Sequence, residues 1–386
     1  MQRQFLRRYH ANEIFHRIRL TPQIAQRDIV ARTGFDKSTV SAIISRFDEL
    51  GLIVRSINSG ENRPGRPTEG LSISPFSGIL IGVQIEADTI AFVAAGLDGV
   101  PLLTHRQAFD GRFEGLETVV ADGIAEVHAK CGREGAILGV GVSLPGLVHG
   151  NGVLAHAPVL GWRDLPIADI LRRRVSVPLY VGNDGKAAAM AEHMFGQGVG
   201  VDDFVHLFSG SGVGGALFLQ GEMYQGAKGL AGELGHIKVV HRGRLCSCGA
   251  AGCLSAYVSE PALAAEIANI SGIMPASLDD IIARAADGDE AVLQVLEQAG
   301  EVLGSAVSSL INIFNPPLVV LGGDMARAAD YLGPSLFRAL RRLAHPIMFA
   351  ESQVVFSEMS VSKPYLGGVA LALDGVTGLE DPQVLP

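Results

Sequence analysis

Gly78-Ile79-Leu80-Ile81-Gly82-Val83-Gln84-Ile85 is an apolar run rich in β-branched residues, and it reads as a strand. Similar runs recur further along with helical stretches between them. Gly139-Val140-Gly141-Val142-Ser143-Leu144-Pro145-Gly146 is a strand running into a tight loop, and Leu318-Val319-Val320-Leu321-Gly322-Gly323 is a buried strand ending in glycines. Strands alternating with helices predict an α/β architecture from Ile79 onward. Leu179-Tyr180-Val181-Gly182-Asn183-Asp184 brings a carboxylate to a strand end, before a helix expected near Lys186, so Asp184 is placed for chemistry or ligand contact. Ser209-Gly210-Ser211-Gly212-Val213-Gly214-Gly215 has few side chains to shield its amides. Its backbone donors suit a phosphate cradle and equally a simple hairpin.

Upstream of this body the composition changes sign. Residues 1–70 hold twelve Lys and Arg against seven Asp and Glu, although the whole chain carries a net charge of −9. A basic head on an acidic body points to a polyanion partner. Phe5, Ile14, Phe15 and Ile18 suggest a first helix stopped near Thr21-Pro22, and a second is expected over about Gln23 to Arg32. Thr33-Gly34-Phe35 is a tight turn, after which Asp36 caps a third helix with Val40, Ile43, Ile44, Phe47 and Leu50 on one face. Helix, glycine turn, helix is the helix-turn-helix pattern. Burying that stripe leaves Lys37, Ser38, Thr39, Ser41, Ser45 and Arg46 outward, where a recognition helix meets base edges in a major groove. Leu52-Ile53-Val54 and Leu71-Ser72-Ile73 read as two strands of a wing, and Arg63 and Arg66 in the loop between them suit a narrow minor groove. A three-helix protein-docking module is the competing reading.

Downstream, Gly232-Glu233-Leu234-Gly235-His236 is followed by Cys246, Cys248 and Cys253, three of the four cysteines in the chain. One imidazole and three thiols at this spacing form a closed tetrahedral zinc shell, with no open position for water, so the metal would hold a loop rather than attack a substrate. Cys246 and Cys248 are too close to pair comfortably as a disulfide. With 386 residues and 48% hydrophobic content, the chain can build two or three sizeable cores. Met1-Gln2-Arg3-Gln4-Phe5 lacks a signal-peptide h-region, and no apolar run is long enough to cross a bilayer, so a cytoplasmic protein is expected.

Together these segments resemble the ROK family of repressors and sugar kinases over essentially the whole chain. The resemblance rests on Gly65-Arg66-Pro67, Asn183-Asp184, the glycine turn at 210–215, Glu233-Leu234-Gly235-His236, the three-cysteine loop and Gly322-Gly323. It implies a winged helix-turn-helix over residues 1–74, followed over 78–386 by a two-lobed actin-like, ribonuclease-H-like sugar kinase fold. It further implies that Asn183, Asp184, Glu233 and His236 hold sugar hydroxyls between the lobes, that Asp184 is the base in kinase members, and that His236 also completes the zinc shell.

Departures from the family pattern separate enzyme from regulator. Kinase members carry Asp-x-Gly-Gly-Thr on the first strand, whereas the matching stretch here is Gln84-Ile85-Glu86-Ala87-Asp88. Carboxylates beside ATP phosphates are unfavourable, and loss of the glycines removes the close backbone approach that phosphoryl transfer needs. The family's Pro-Asn pair is Pro158-Val159, and its Glu after the last zinc cysteine and Leu is Ser255. The expected protein is a non-enzymatic, sugar-responsive repressor. Its expected partners are palindromic operator DNA and a carbohydrate or polyol, and it is expected to be a homodimer or homotetramer. An active sugar kinase and a regulator governed by a protein partner are the alternatives.

Overall fold

The computed structural model describes residues 2–57, 69–362, 365–378 and 385. The N-terminal elements are α1 (Gln2–Leu20), β1 (Ile24–Ala25), α2 (Gln26–Thr33), α3 (Lys37–Glu49), β2 (Ile53–Ile57) and β3 (Glu69–Ile73). Asp36 begins α3 by accepting the Thr39 amide at 2.9 Å. Val40, Ile43, Ile44 and Phe47 are buried against Ile14, Phe15, Ile18 and Ile29, with the Phe15 and Phe47 rings edge to face at 6.3 Å. Two expectations need correction. The second helix starts at Gln26 rather than Gln23, because Ile24 and Ala25 pair with Leu71 and Gly70 as a third strand of the wing sheet. Leu50, placed on the buried stripe by its spacing, is 41% exposed where α3 has ended.

Behind the head, the chain forms β4 (Ile79–Ile85), β5 (Thr89–Gly96), β6 (Pro101–Ala108), α4 (Leu116–Lys130) and β7 (Ile137–Leu144). A small antiparallel sheet of β8 (Leu147–Val148), β9 (Leu154–Ala157) and β10 (Trp162–Leu165) follows, then α5 (Ile167–Arg172), β11 (Leu179–Asn183) and α6 (Asp184–Phe195). The main sheet has the order β11-β7-β4-β5-β6. Its β4, β7 and β11 are parallel, and β5 and β6 are antiparallel additions.

The same plan recurs in the second half. It comprises β12 (Phe204–Ser209), β13 (Val213–Leu219), β14 (Glu222–Met223), α7 (Ser255–Val258), α8 (Glu260–Ser271), α9 (Leu278–Ala286), α10 (Glu290–Phe314) and β15 (Leu318–Gly323). The remaining elements are α11 (Asp324–Arg327), α12 (Ala329–Leu343), α13 (Pro346–Glu351), β16 (Gln353–Phe356), α14 (Glu358–Ser362) and α15 (Leu366–Thr377). The strand order β14-β13-β12-β15-β16 repeats the first sheet's topology, with β12, β15 and β16 parallel. Strand ends that carry Glu86, Asp184 and Asp324 are all C-terminal ends, where open α/β sheets bind ligands.

From the second half, α15 returns to the first sheet and lies across β4 and β7. The contact is backbone on backbone: a Cβ at Gly141 would stand 2.0 Å from the Gly368 carbonyl oxygen, and one at Gly82 would stand 2.6 Å from the Val369 nitrogen. The head's apolar core continues into this helix, so Ile14, Phe15 and Leu52 share one buried cluster with Val369, Leu373 and Val376. Among the described residues, no helix is long and apolar enough to cross a membrane.

Candidate effector cleft and metal centre

Asn183 and Asp184 sit where β11 turns into α6. The Asn183 Oδ1 caps the helix by accepting the Lys186 amide at 3.0 Å, while its Nδ2 donates to the Gly146 carbonyl and to Asp184 Oδ1, each at 2.9 Å. Asp184 Oδ1 also accepts its neighbour's Gly185 amide at 2.8 Å. Helix α6 begins at Asp184, two residues before the start expected from sequence. Burial raises the Asp184 pKa, and those donors oppose the rise. Glu233 approaches from the other half of the chain; burial raises its pKa too, with Lys186 opposing and Asp184 reinforcing. The structure therefore brings Asn183, Asp184 and Glu233 near one another at the candidate cleft.

Lys186 is a member of that cleft which the sequence reading left as a mere helix start. Its ammonium donates to the Gly229 carbonyl and stands beside Glu233. The signal was its place in the first helical turn after Asp184. Of the altered family positions, Val159 is exposed on the turn before β10, and Ser255 is buried, its hydroxyl 3.9 Å from where a Gly212 Cβ would be. The 210–215 segment is a hairpin turn between β12 and β13, with Gly214 and Gly215 already inside the second strand.

At the end of β4, Glu86 accepts from the Gln84 side-chain amide at 2.9 Å, and its charge is felt at Asp184, Asp324 and Tyr365. The Arg106 guanidinium lies 5.4 Å from the centre of the Tyr365 ring. Asp324, directly after Gly322-Gly323, has its pKa pushed up to about 7 by burial and then Glu260, with Arg327 opposing. This carboxylate network was also missed, although it starts at the strand-end glycines already noted.

A pH dependence follows from Asp324, whose side chain is 16% exposed. Its folded pKa lies above the unfolded value of 3.8, so its contribution is fully present in acid and is lost as pH rises from about 4 through about 7. The slope is at most about 1.4 kcal/mol per pH unit. Asp324→Asn is expected to raise the unfolding midpoint at pH 8 and to leave it nearly unchanged at pH 4. Thermal melts across that range check this, and a midpoint gain equal at both pH values would refute it.

The second centre lies one turn beyond Glu233, where Leu234–His236 form a 3-10 turn. The side chains of His236, Cys246, Cys248 and Cys253 offer ligand atoms that all lie within 4.8 Å of one another, a set that could hold a metal ion. Cys248 Sγ and Cys253 Sγ are 3.8 Å apart, and Cys246 Sγ is 3.7 Å from His236 Nδ1. A tetrahedron with metal–sulfur bonds of about 2.3 Å has sulfur–sulfur edges of about 3.8 Å, which the Cys248–Cys253 separation matches. All four cysteines are free thiols. With Nδ1 facing the thiols, His236 Nε2 faces the Glu233 carboxylate at 3.9 Å. One imidazole thus lies between the three thiols and Glu233.

In the head, Lys37, Ser41, Ser45 and Arg46 are exposed on α3. Arg46 pairs with Glu49 at 2.8 Å. Ser38 is exposed as well and Thr39 is half-buried, and the hydroxyls of both donate to the Asp36 carboxylate, so they also serve the helix cap. Arg63 and Arg66 lie outside the described residues.

A family model described as the ROK family matches residues 80–375. The chain belongs to the ROK family. It is similar to the xylose repressor of Bacillus spizizenii, with 24% identity over 372 residues covering 96% of each chain. It is also similar to the glucokinase of Thermotoga maritima, with 29% identity over 319 residues covering 75% of this chain and 98% of the glucokinase. Among solved structures, a ROK family transcriptional regulator described as a homologue of the E. coli Mlc protein superposes with a TM-score of 0.82 at 24% identity, covering 97% of both chains. The likeness of fold to that structure thus includes the head as well as the part that the family model matches.

Proposed function

We propose that this ROK protein is a sugar-responsive transcriptional repressor. In this reading residues 1–74 bind operator DNA, and residues 78–386 bind a carbohydrate or polyol and assemble subunits into a homodimer or homotetramer in the cytoplasm. The observation that carries it is the extent of similarity. The repressor covers 96% of this chain, head included, whereas the glucokinase, matched over 98% of its own length, covers only 75% of this chain. The exposed Lys37, Ser41, Ser45 and Arg46 face of α3 would enter the major groove, and Arg63 and Arg66 remain the candidates for the minor groove.

Asn183, Asp184, Glu233 and His236 would hold sugar hydroxyls, with the last also holding zinc alongside Cys246, Cys248 and Cys253. Three thiolates and one imidazole leave no open coordination position, which makes the metal structural. Phosphoryl transfer is disfavoured because Glu86 and Asp88 follow β4 where ATP phosphates would need donors.

The test is operator binding with and without xylose, then with other pentoses, hexoses and polyols. Asp184→Asn is expected to weaken sugar binding about tenfold or more, the scale of one charged hydrogen bond, and to leave sugar-free operator affinity within about twofold. Sugar-dependent ADP release at roughly 1–100 per second would instead move the chain to the kinases.

A further inference from the structure

Arg19 stands in the last turn of α1 with only 9% of its surface exposed. Its Nη1 donates to the Met194 carbonyl at 2.8 Å, its Nε donates to His16 Nδ1 at 3.2 Å, and the guanidinium lies 5.2 Å from the centre of the Phe195 ring. A buried cation without compensation is costly. Here the last turn of α6 supplies it, because the free carbonyls at a helix C-terminus carry the negative end of the helix dipole. Burial lowers the Arg19 pKa to about 10, with Asp98 opposing, so the group stays charged at neutral pH.

Neighbouring contacts fasten the same face of α1. Asn12 Nδ2 donates to the Thr377 carbonyl of α15 at 2.9 Å. His16 accepts from Arg19 on Nδ1 and meets the Thr377 hydroxyl through Nε2 at 3.5 Å, as a neutral imidazole would. Burial first, then Arg19 and His193, bring its pKa down to about 3.

The opposite end of α6 is the cleft. Asn183 caps the helix, Asp184 is its first residue, and Lys186 follows in the same turn. Twelve residues at 1.5 Å each put the two ends about 18 Å apart. One rigid element therefore presents its positive end to the effector groups and its negative end to the arginine of the head.

We propose that α6 links effector binding to head orientation, and that Arg19 is the positioning residue through which α6 holds the head. The proposal rests on the cleft being the effector site. A tilt or slide of α6 as the two halves close on a sugar moves the Met194 carbonyl and the Phe195 ring together. Arg19 must follow them or be left as a buried charge without its acceptor. The head is thereby biased toward one of two orientations, which is the discrete switch that coupling between separated sites requires.

Arg19→Met keeps the length and the burial and removes the charge; Arg19→Lys keeps the charge and loses the fork, and serves if the first variant fails to fold. Sugar affinity is measured by calorimetry, and operator affinity by anisotropy with and without saturating sugar. Sugar affinity is expected to stay within about twofold of the parent, while the sugar-induced ratio of operator affinities falls about tenfold or collapses to one. A folded variant that keeps the parent's ratio overturns the linkage.

A second arm needs no sugar. Asn183→Ala removes the cap of α6 and is expected to speed amide exchange in the last turn of α1 in the parent background, but not in the Arg19→Met background. Equal speeding in both, or none in the parent, also overturns it. If the parent bound no sugar at all, only the effector reading would fall, and the exchange arm would still decide the linkage.

Discussion

Removal of metal from the His236, Cys246, Cys248 and Cys253 centre is expected to abolish the sugar response and to disorder the loop between residues 236 and 253. Structural zinc contributes on the order of 10–16 kcal/mol in small zinc-binding peptides, more than any single side chain of the cleft can. No regular helix or strand runs through the loop: its backbone is tied by turn hydrogen bonds, such as Cys246 N to Ala250 O at 2.8 Å and Val239 N to Gly252 O at 2.9 Å, and by two isolated bridges, Lys238 with Cys253 and Leu245 with Ala251, while Leu245 is 78% exposed.

Cys248→Ser separates metal from packing, since Cys248 is the exposed thiol and Cys246 and Cys253 are buried. The serine variant should lose bound zinc by elemental analysis and lose protection of the loop amides, while the apolar cores stay folded. Purified protein with no zinc and an intact sugar response would dismiss the metal centre.

Gly235→Ala carries the second large effect. A Cβ there would fall 1.9 Å from the Val213 carbonyl oxygen and 2.7 Å from its carbon, and both are backbone atoms of β13 that cannot rotate away. The 3-10 turn would have to lift from the strand, displacing Glu233 and His236 together. Overpacking against side chains costs about 1–3 kcal/mol, and contact with backbone belongs at or above the top of that range. Gly249→Ala is the control: its φ is +87°, unlike that of Gly235, but nothing lies within 4 Å of the added carbon, so only the left-handed penalty of about 1 kcal/mol is expected. Calorimetric melts and sugar titrations of the pair decide the matter. Equal destabilisation of both would mean that close packing under Gly235 is not what matters.

The parts of this fold that could be read from sequence are those encoded by local chemistry. The histidine and three cysteines announce a shared centre because no apolar core explains thiols at that spacing. Asp36 announces a helix start because a short carboxylate before Lys37 has an amide to cap. The misreadings arose where tertiary pairing overrode local pattern. Ile24 and Ala25 could continue a helix, but pairing with Gly70 and Leu71 across the wing made them a strand. Leu50 kept the spacing of the buried stripe after the helix itself had stopped. Ser38 and Thr39, which carry the small hydroxyls of the proposed groove-facing surface, have a local role that sequence did not reveal, since both bind Asp36. Lys186, Asp324 and Arg106 escaped notice because each becomes meaningful only beside a residue far away in the chain: Glu233, Glu260 and Tyr365 respectively.

The close seat of α15 on β4 and β7 has a consequence for biosynthesis. The strand bearing Gly82 leaves the ribosome 286 residues before the helix bearing Gly368 that must cover it. At ordinary translation rates the interval is roughly 15–60 s. The three-helix head is made long before α15, so Asn12 and the Ile14–Phe15 face wait for their partners Thr377, Val369 and Leu373. A growing chain therefore carries a head with its own small core and no seat. Only once α15 has emerged can the head take the seat seen in the structure.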